Sequence, residues 1–502
     1  MSHRANLIET ADAGGISANL AIHCAPMPQL PTPQPRTSAL ALALLASLAV
    51  LLAACDSSPP KPGPEQRPEL RGAATGWNVV LLSIDTLRAD HLGAYGYQVR
   101  ETSPNLDQLM AGGVRFEQAN APRALTWPSL ATVLTGLYPS GHGVIDNGYE
   151  LPADLPTLPL ALHTGGYRTG AFLGNMCRAN HQGWDAFECN AGQDGKSVAA
   201  ALEWLGQQQG EQPFFLWVHL FGAHGPYYNG GDLAATQLDP GYQGTLEPKK
   251  WRLNAVMSNR EQLSERDIVH LHAIYDAAVI GSDRIAGRLL DGLRESGQLE
   301  RTLVVLLADH GEELYQHHGY LYHACSVYQS ALHVPLAMAA PGLLRAGATV
   351  SQTVELGDVT PTILDLVGLP ALPESHGVSL VPYLQRPEVH GRGRPAFSEY
   401  GQERIHTVLQ GEWKLVDNPE SVTPVCSAES PEDLYPIANA ELYDLSQDPL
   451  EQHNLAEQNP GKVAELRELI RNRFANLARR DVPQELPEEL KQELRSLGYV
   501  AP

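Results

Sequence analysis

The chain has 502 residues, 43% of them hydrophobic, enough for one large α/β domain and a smaller subdomain. Its formal net charge is -22, with 57 acidic against 35 basic residues and no clustered run of Lys and Arg. That balance argues against nucleic acid as a partner, and any anionic ligand must be captured by local positive charge.

Residues 1–54 read as a signal peptide behind an N-terminal extension. An apolar run from Ala39 to Ala54 follows Arg36 and ends in Leu52-Ala53-Ala54-Cys55, the layout of a bacterial signal sequence. The small residues before Cys55 resemble a lipobox, so cleavage there would leave Cys55 acylated and the body anchored to a membrane on its periplasmic or extracellular side. The alternative is a transmembrane anchor, for which the run is a little short. Met27 would give a signal of ordinary length, whereas residues 1–26 have no targeting character. Residues 55–76, rich in proline and polar side chains, read as a tether.

The folded body begins at Trp77. Asn78 to Ile84 is a near-continuous apolar run closed by Asp85, as expected of a strand buried on both faces of a parallel sheet. Cys177 and Cys189 can pair in an oxidising compartment, although spacing alone does not establish the bond. Pro213 to Leu220 and Thr302 to Ala308 repeat the buried-strand character, and Asp309-His310 closes the latter. Between them, Arg266 to Ser296 places Ile274, Ala278, Ile285 and Leu289 at a helical period. The alternation predicts an α/β sandwich with a largely parallel sheet over 77–390. Beyond about residue 390, Ala396 to Tyr400, His406 to Gln410, Trp413 to Val416 and Glu441 to Leu445 read as short antiparallel strands, followed by an amphipathic helix over Lys462 to Leu477. Residues 391–502 are therefore expected to form a smaller C-terminal subdomain with a helical tail.

Ligands of open α/β sheets bind beyond the carboxyl ends of the strands, where Asp85, Asp309 and His310 fall. With a hydroxyl they would offer hard oxygens and one imidazole to a divalent metal: zinc, manganese or calcium. The hydroxyl is expected from Thr126, two residues before Pro128 at the start of a helix, where free N–H groups stabilise an anion. Thr126 can equally serve as the helix cap, and the two roles are compatible.

Read together, these segments resemble the sulfatase family of the alkaline phosphatase superfamily. Ser83 to Gly93 looks like its first metal segment. Leu134-Thr135-Gly136-Leu137-Tyr138-Pro139 with His142-Gly143 looks like the stretch after its nucleophile, and Ala308-Asp309-His310-Gly311-Glu312 like its second metal segment. Glu441 to Leu445 with Asp448-Pro449 and Asn454-Leu455 resembles its C-terminal signature. The resemblance implies that Asp85, Asp309 and His310 bind the metal and that Thr126 is both ligand and nucleophile. It gives His224 and His323 contacts to the transferred anion or leaving group.

Departures from the family pattern bear on the chemistry. Formylglycine forms from Cys or Ser followed by x-Pro-x-Arg, whereas this chain has Thr126-Trp127-Pro128-Ser129-Leu130. Thr cannot be converted, and the Arg is missing. Paired Asp residues at the first strand end are reduced to Asp85-Thr86, and a Lys after a mid-chain Gly is replaced at Gly174-Asn175. Thr at this position is similar to phosphoryl-transferring relatives, so phosphoryl chemistry is expected over sulfuryl chemistry on a small-molecule, glycan or lipid ester. A headgroup transferase shares the first half-reaction, and a lipid-anchored binding protein that kept fold and metal is a different class. Retention of all four site residues favours the enzyme.

Overall fold

The computed structural model describes residues 69–480, except 178–181, 209, 211, 228–237, 250–252, 254–255, 257–261, 389–392, 401–403, 425–434 and 476. The apolar N-terminal run, Cys55 and most of the tether lie outside the described residues. Within the described residues no helix is long and apolar enough to cross a membrane.

In chain order the strands are β1 (Asn78–Ile84), β2 (Val114–Asn120), β3 (Arg168–Leu173), β4 (Ala186–Cys189), β5 (Phe214–Leu220), β6 (Thr302–Ala308), β7 (Glu313–Leu314), β8 (Leu321–Tyr322), β9 (His333–Ala339), β10 (Ala348–Glu355), β11 (Ala396–Tyr400), β12 (Ile405–Gln410), β13 (Trp413–Asp417) and β14 (Ala440–Asp444). An eight-stranded sheet runs in the order β10-β2-β9-β6-β1-β5-β3-β4. Only β9 opposes its neighbours, β6 and β2, so every other strand of that sheet points one way. β5 and β6 are buried along their whole length and β1 along all but its first residue, which is why each reads as an unbroken apolar run.

The principal helices are α1 (Pro104–Ala111), α2 (Thr126–Thr135), α3 (Asp194–Gln207), α4 (Glu265–Glu295), α5 (Val359–Val367) and α6 (Pro460–Phe474). α4 begins with a reciprocal capping box between Ser264 and Asp267. Its apolar stripe buries Leu271, Ile274, Ala278, Leu289 and Leu293, with Ile285 partly buried beside them. Each fully buried leucine there contributes roughly 1.5–3 kcal/mol. α1 and α3 pack against α4, and α2 packs against α5.

The expected C-terminal strands form a separate antiparallel sheet, β11-β12-β13-β14. Val463, Leu466, Ile470 and Phe474 of α6, at helical spacing, close over Phe397, Val408, Leu415 and Leu442 of this sheet. Buried Lys414 of β13 donates to the Val327 carbonyl at 2.7 Å and pairs with Glu451 at 2.6 Å. The small sheet thus holds the segment that follows β8.

Candidate active site

β1 and β6 run parallel with Ile84 beside Ala308, so the next residues, Asp85 and Asp309, emerge side by side at the carboxyl ends. β5 flanks the other edge of β1, with Ile84 beside Leu220. Thr86 then adopts φ +57°, and its N–H reaches Asp309 Oδ1 at 3.3 Å. A second N–H, from His310, meets the same oxygen at 2.9 Å, which directs Asp309 Oδ2 the other way. The His310 Nδ1–H donates to the Gly311 carbonyl at 2.9 Å, so Nε2 carries the lone pair. That Nε2 lies 3.5 Å from both Asp85 Oδ1 and Asp309 Oδ2.

All three side chains are fully buried. Asp85 Oδ1 and Asp309 Oδ2 have no hydrogen-bond donor among the described residues. Burial, with repulsion from Asp309 and Glu312, holds Asp85 well above the usual carboxylate range; burial also raises Asp309 and pushes His310 well below its ordinary value. A site that disfavours both carboxylate charges lacks a counter-charge. The three ligand atoms lie within 4.8 Å of one another, the one such cluster among the described residues. Two bare carboxylate oxygens and a neutral imidazole nitrogen fit a divalent cation.

Thr126 opens α2, and Leu125, extended at φ -147° and ψ 136°, is the residue in the cap position. The Thr126 side chain does not cap the helix. Its Oγ1 instead lies 3.4 Å from His310 Nε2, fully buried beside the Asp-Asp-His cluster. One turn along the same face, the Ser129 hydroxyl donates to the Asp309 carbonyl at 2.6 Å and docks the start of α2 on the end of β6. Gly136, in the left-handed conformation at φ +71°, ends the helix.

Two further histidines converge on His310. The His323 ring centroid lies 4.3 Å from that of His310 and 5.1 Å from that of His224. His323 follows the β7–β8 hairpin, and its Nδ1 is 3.4 Å from Glu312 Oε2. Burial pushes His323 down to about 3 and Glu312 up to about 8. The His224 Nδ1–H donates to the Gly225 carbonyl at 2.6 Å, which sets its tautomer. The structure therefore brings together Asp85, Thr126, His224, Asp309, His310 and His323.

Three residues outside the sequence-derived set also shape the site. Asn175 donates to Asp85 Oδ2 at 2.5 Å. Asn147 Oδ1 accepts the Trp127 backbone N–H at 2.8 Å, beside Thr126. Gly222, at φ +66°, lets its backbone pass against Asp85: a Cβ there would stand 2.7 Å from the Asp85 carbonyl oxygen. None of these carries a spacing signal; only Gly174-Asn175, aligned with the family, marked its position. Nearby, Cys177 and Cys189 are joined in a disulfide.

The sulfatase family model matches residues 77–369. Arylsulfatase K of Danio rerio is 30% identical over 216 residues, 42% of this chain and only 38% of that protein's length. An N-acetylglucosamine-6-O-sulfatase of Bacteroides thetaiotaomicron is 22% identical over 482 residues, covering 75% of this chain and 82% of that protein. Among solved structures, the phosphonate monoester hydrolase of Agrobacterium radiobacter shares the fold with a TM-score of 0.63 at 21% identity, covering 80% of this chain and 96% of its own. With the family model spanning more than half of the sequence, the chain belongs to the sulfatase family and is an ester hydrolase.

Proposed function

We propose that the chain is a metal-dependent hydrolase of phosphate or sulfate esters in which unmodified Thr126 is the nucleophile and phosphoryl transfer is favoured over sulfuryl transfer. The observation that carries this reading is the Thr126 hydroxyl, which faces His310 Nε2 at 3.4 Å instead of capping its helix. A divalent cation held by Asp85, Asp309 and His310 would acidify the Thr126 hydroxyl and offset charge on the ester oxygens.

The Thr126 hydroxyl gives its proton to a neighbouring histidine as its oxygen attacks phosphorus in line, and the ester oxygen leaves with its electron pair, giving a phosphothreonine. His224 or His323 supplies the proton that the departing oxygen takes up. His323 is neutral in the unliganded site, so it must first gain that proton, which an incoming anion favours. Glu312 orients His323 through Nδ1. Water then attacks phosphorus, restoring the Thr126 hydroxyl and releasing phosphate. A sulfothreonine lacks the exit that an aldehyde hydrate gives formylglycine, so sulfate esters should stall after the first transfer.

The named activities of the relatives, on a sulfated amino sugar and on phosphonate monoesters, put both ester classes within reach of this fold. The substrate class read here is a glycan, lipid or small-molecule ester outside the cytoplasm, with the protein anchored through Cys55. The Cys177–Cys189 disulfide supports an oxidising compartment. Initial rates on matched aryl phosphate, phosphodiester, phosphonate and sulfate esters test the chemistry, with multiple turnovers expected on phosphorus esters. Repeated rapid turnover of the sulfate ester with phosphorus esters untouched would overturn the phosphoryl preference.

A further inference from the structure

Arg123 stands three residues before Thr126, in the segment that leads from β2 to α2. Its side chain is 6% exposed, yet Nε and Nη1 meet no hydrogen-bond acceptor among the described residues. Burying a guanidinium with two unused donors is costly unless a ligand completes it.

The guanidinium carbon lies 5.4 Å from the centre of the Tyr400 ring, a cation–π arrangement that leaves in-plane N–H groups for another partner. The Tyr400 hydroxyl lies 3.4 Å from Cys325 Sγ, two residues beyond His323. Asp146 is near enough to feel the guanidinium charge, and to act on Tyr400 in turn, but does not close an ion pair with Arg123. Asp146 begins the loop whose Asn147 and Tyr149 bond Trp127, the residue after Thr126. These contacts link Arg123 both to the segment that carries Thr126 and to the one that carries His323.

We infer that Arg123 and the Tyr400 face form a subsite for a second anionic group on the substrate, a carboxylate or a further sulfate or phosphate, next to the scissile ester. This rests on Thr126 marking the catalytic centre. A planar guanidinium takes such oxygens through two parallel N–H bonds, and in a chain of net charge -22 a buried cation three residues from Thr126 is what selects a doubly anionic ligand.

The test compares phenyl phosphate with 3-carboxyphenyl phosphate on the metal-loaded protein, in the wild type, Arg123→Gln and Arg123→Lys. The wild type should prefer the carboxylated ester, mainly through KM. Arg123→Gln should cut that preference at least roughly tenfold, as expected for a charged hydrogen bond. Arg123→Lys, a point charge without the fork, should restore part of it. Equal losses on both esters, or no preference to lose, would overturn the subsite. Calorimetric binding of phenylphosphonate and 3-carboxyphenylphosphonate reads the same preference without turnover. If the wild type hydrolyses neither ester, the hydrolase reading fails while the binding difference still decides the subsite.

Discussion

Asn175 donates its side-chain N–H to Asp85 Oδ2 at 2.5 Å, across 90 residues of sequence. The bond fixes the Asp85 carboxylate so that Oδ1 faces His310 Nε2. A residue that the family resemblance marked as a lost lysine is thus a neutral support for one of the two carboxylates proposed to hold the metal. Asn175→Ala should lower metal affinity by about 10- to 100-fold, and Asn175→Asp should also place a like charge against Asp85. Competition against a metal-sensing chelator measures this; wild-type affinity in both variants would remove Asn175 from the site.

Gly222 makes a backbone prediction. Its φ of +66° is one that side chains rarely adopt, and a Cβ would meet Ile84 Cγ2 at 2.6 Å. Gly222→Ala should destabilise the fold by at least about 1 kcal/mol and loosen metal binding, because the atoms displaced are the end of β1 that carries Asp85. Chemical denaturation and a metal titration check both effects. Unchanged stability together with unchanged affinity would contradict the close packing.

Acid sensitivity follows from His142, fully buried, accepting the Val144 N–H at Nδ1 and lying 3.1 Å from Thr132 Oγ1. Burial pushes it from its ordinary 6.5 down to about 3. Its folded pKa is depressed, so as pH falls through 6.5 the unfolded chain binds a proton that the fold does not. Stability should fall towards acid by about 1.4 kcal/mol per pH unit for this group, until the folded value is reached. The melting temperature of metal-stripped protein between pH 7 and 5 should drop, and less steeply in His142→Asn. Parallel curves for the two proteins would show that His142 is not the cause.

The sequence reveals those parts of the fold whose signal is local. β1, β5 and β6 are largely apolar because both faces are covered, and Asp85 and Asp309-His310 stand out as the carboxylates and imidazole that follow the ends of β1 and β6. α4 and α6 are legible from their helical period and the small sheet from its short strands and turns, with ends shifted by a few residues. The reversal of β9 has no such signal, because a buried strand reads alike in either direction. Nor do Asn147, Asn175 and Arg123, since each gains its part in the site from a partner in another segment. For Thr126 the sequence allows both a cap and a nucleophile; the structure removes the cap and places the hydroxyl 3.4 Å from His310 Nε2.

The most direct measurement concerns that hydroxyl. Metal-loaded protein is quenched in acid during turnover of a phosphate ester, digested, and its peptides are read by mass spectrometry. A Thr126 nucleophile predicts phosphothreonine in the Thr126 peptide, with Thr126→Ala losing both the adduct and turnover by on the order of 10³-fold or more. Near wild-type turnover in Thr126→Ala, or a covalent adduct on a different residue, would contradict it.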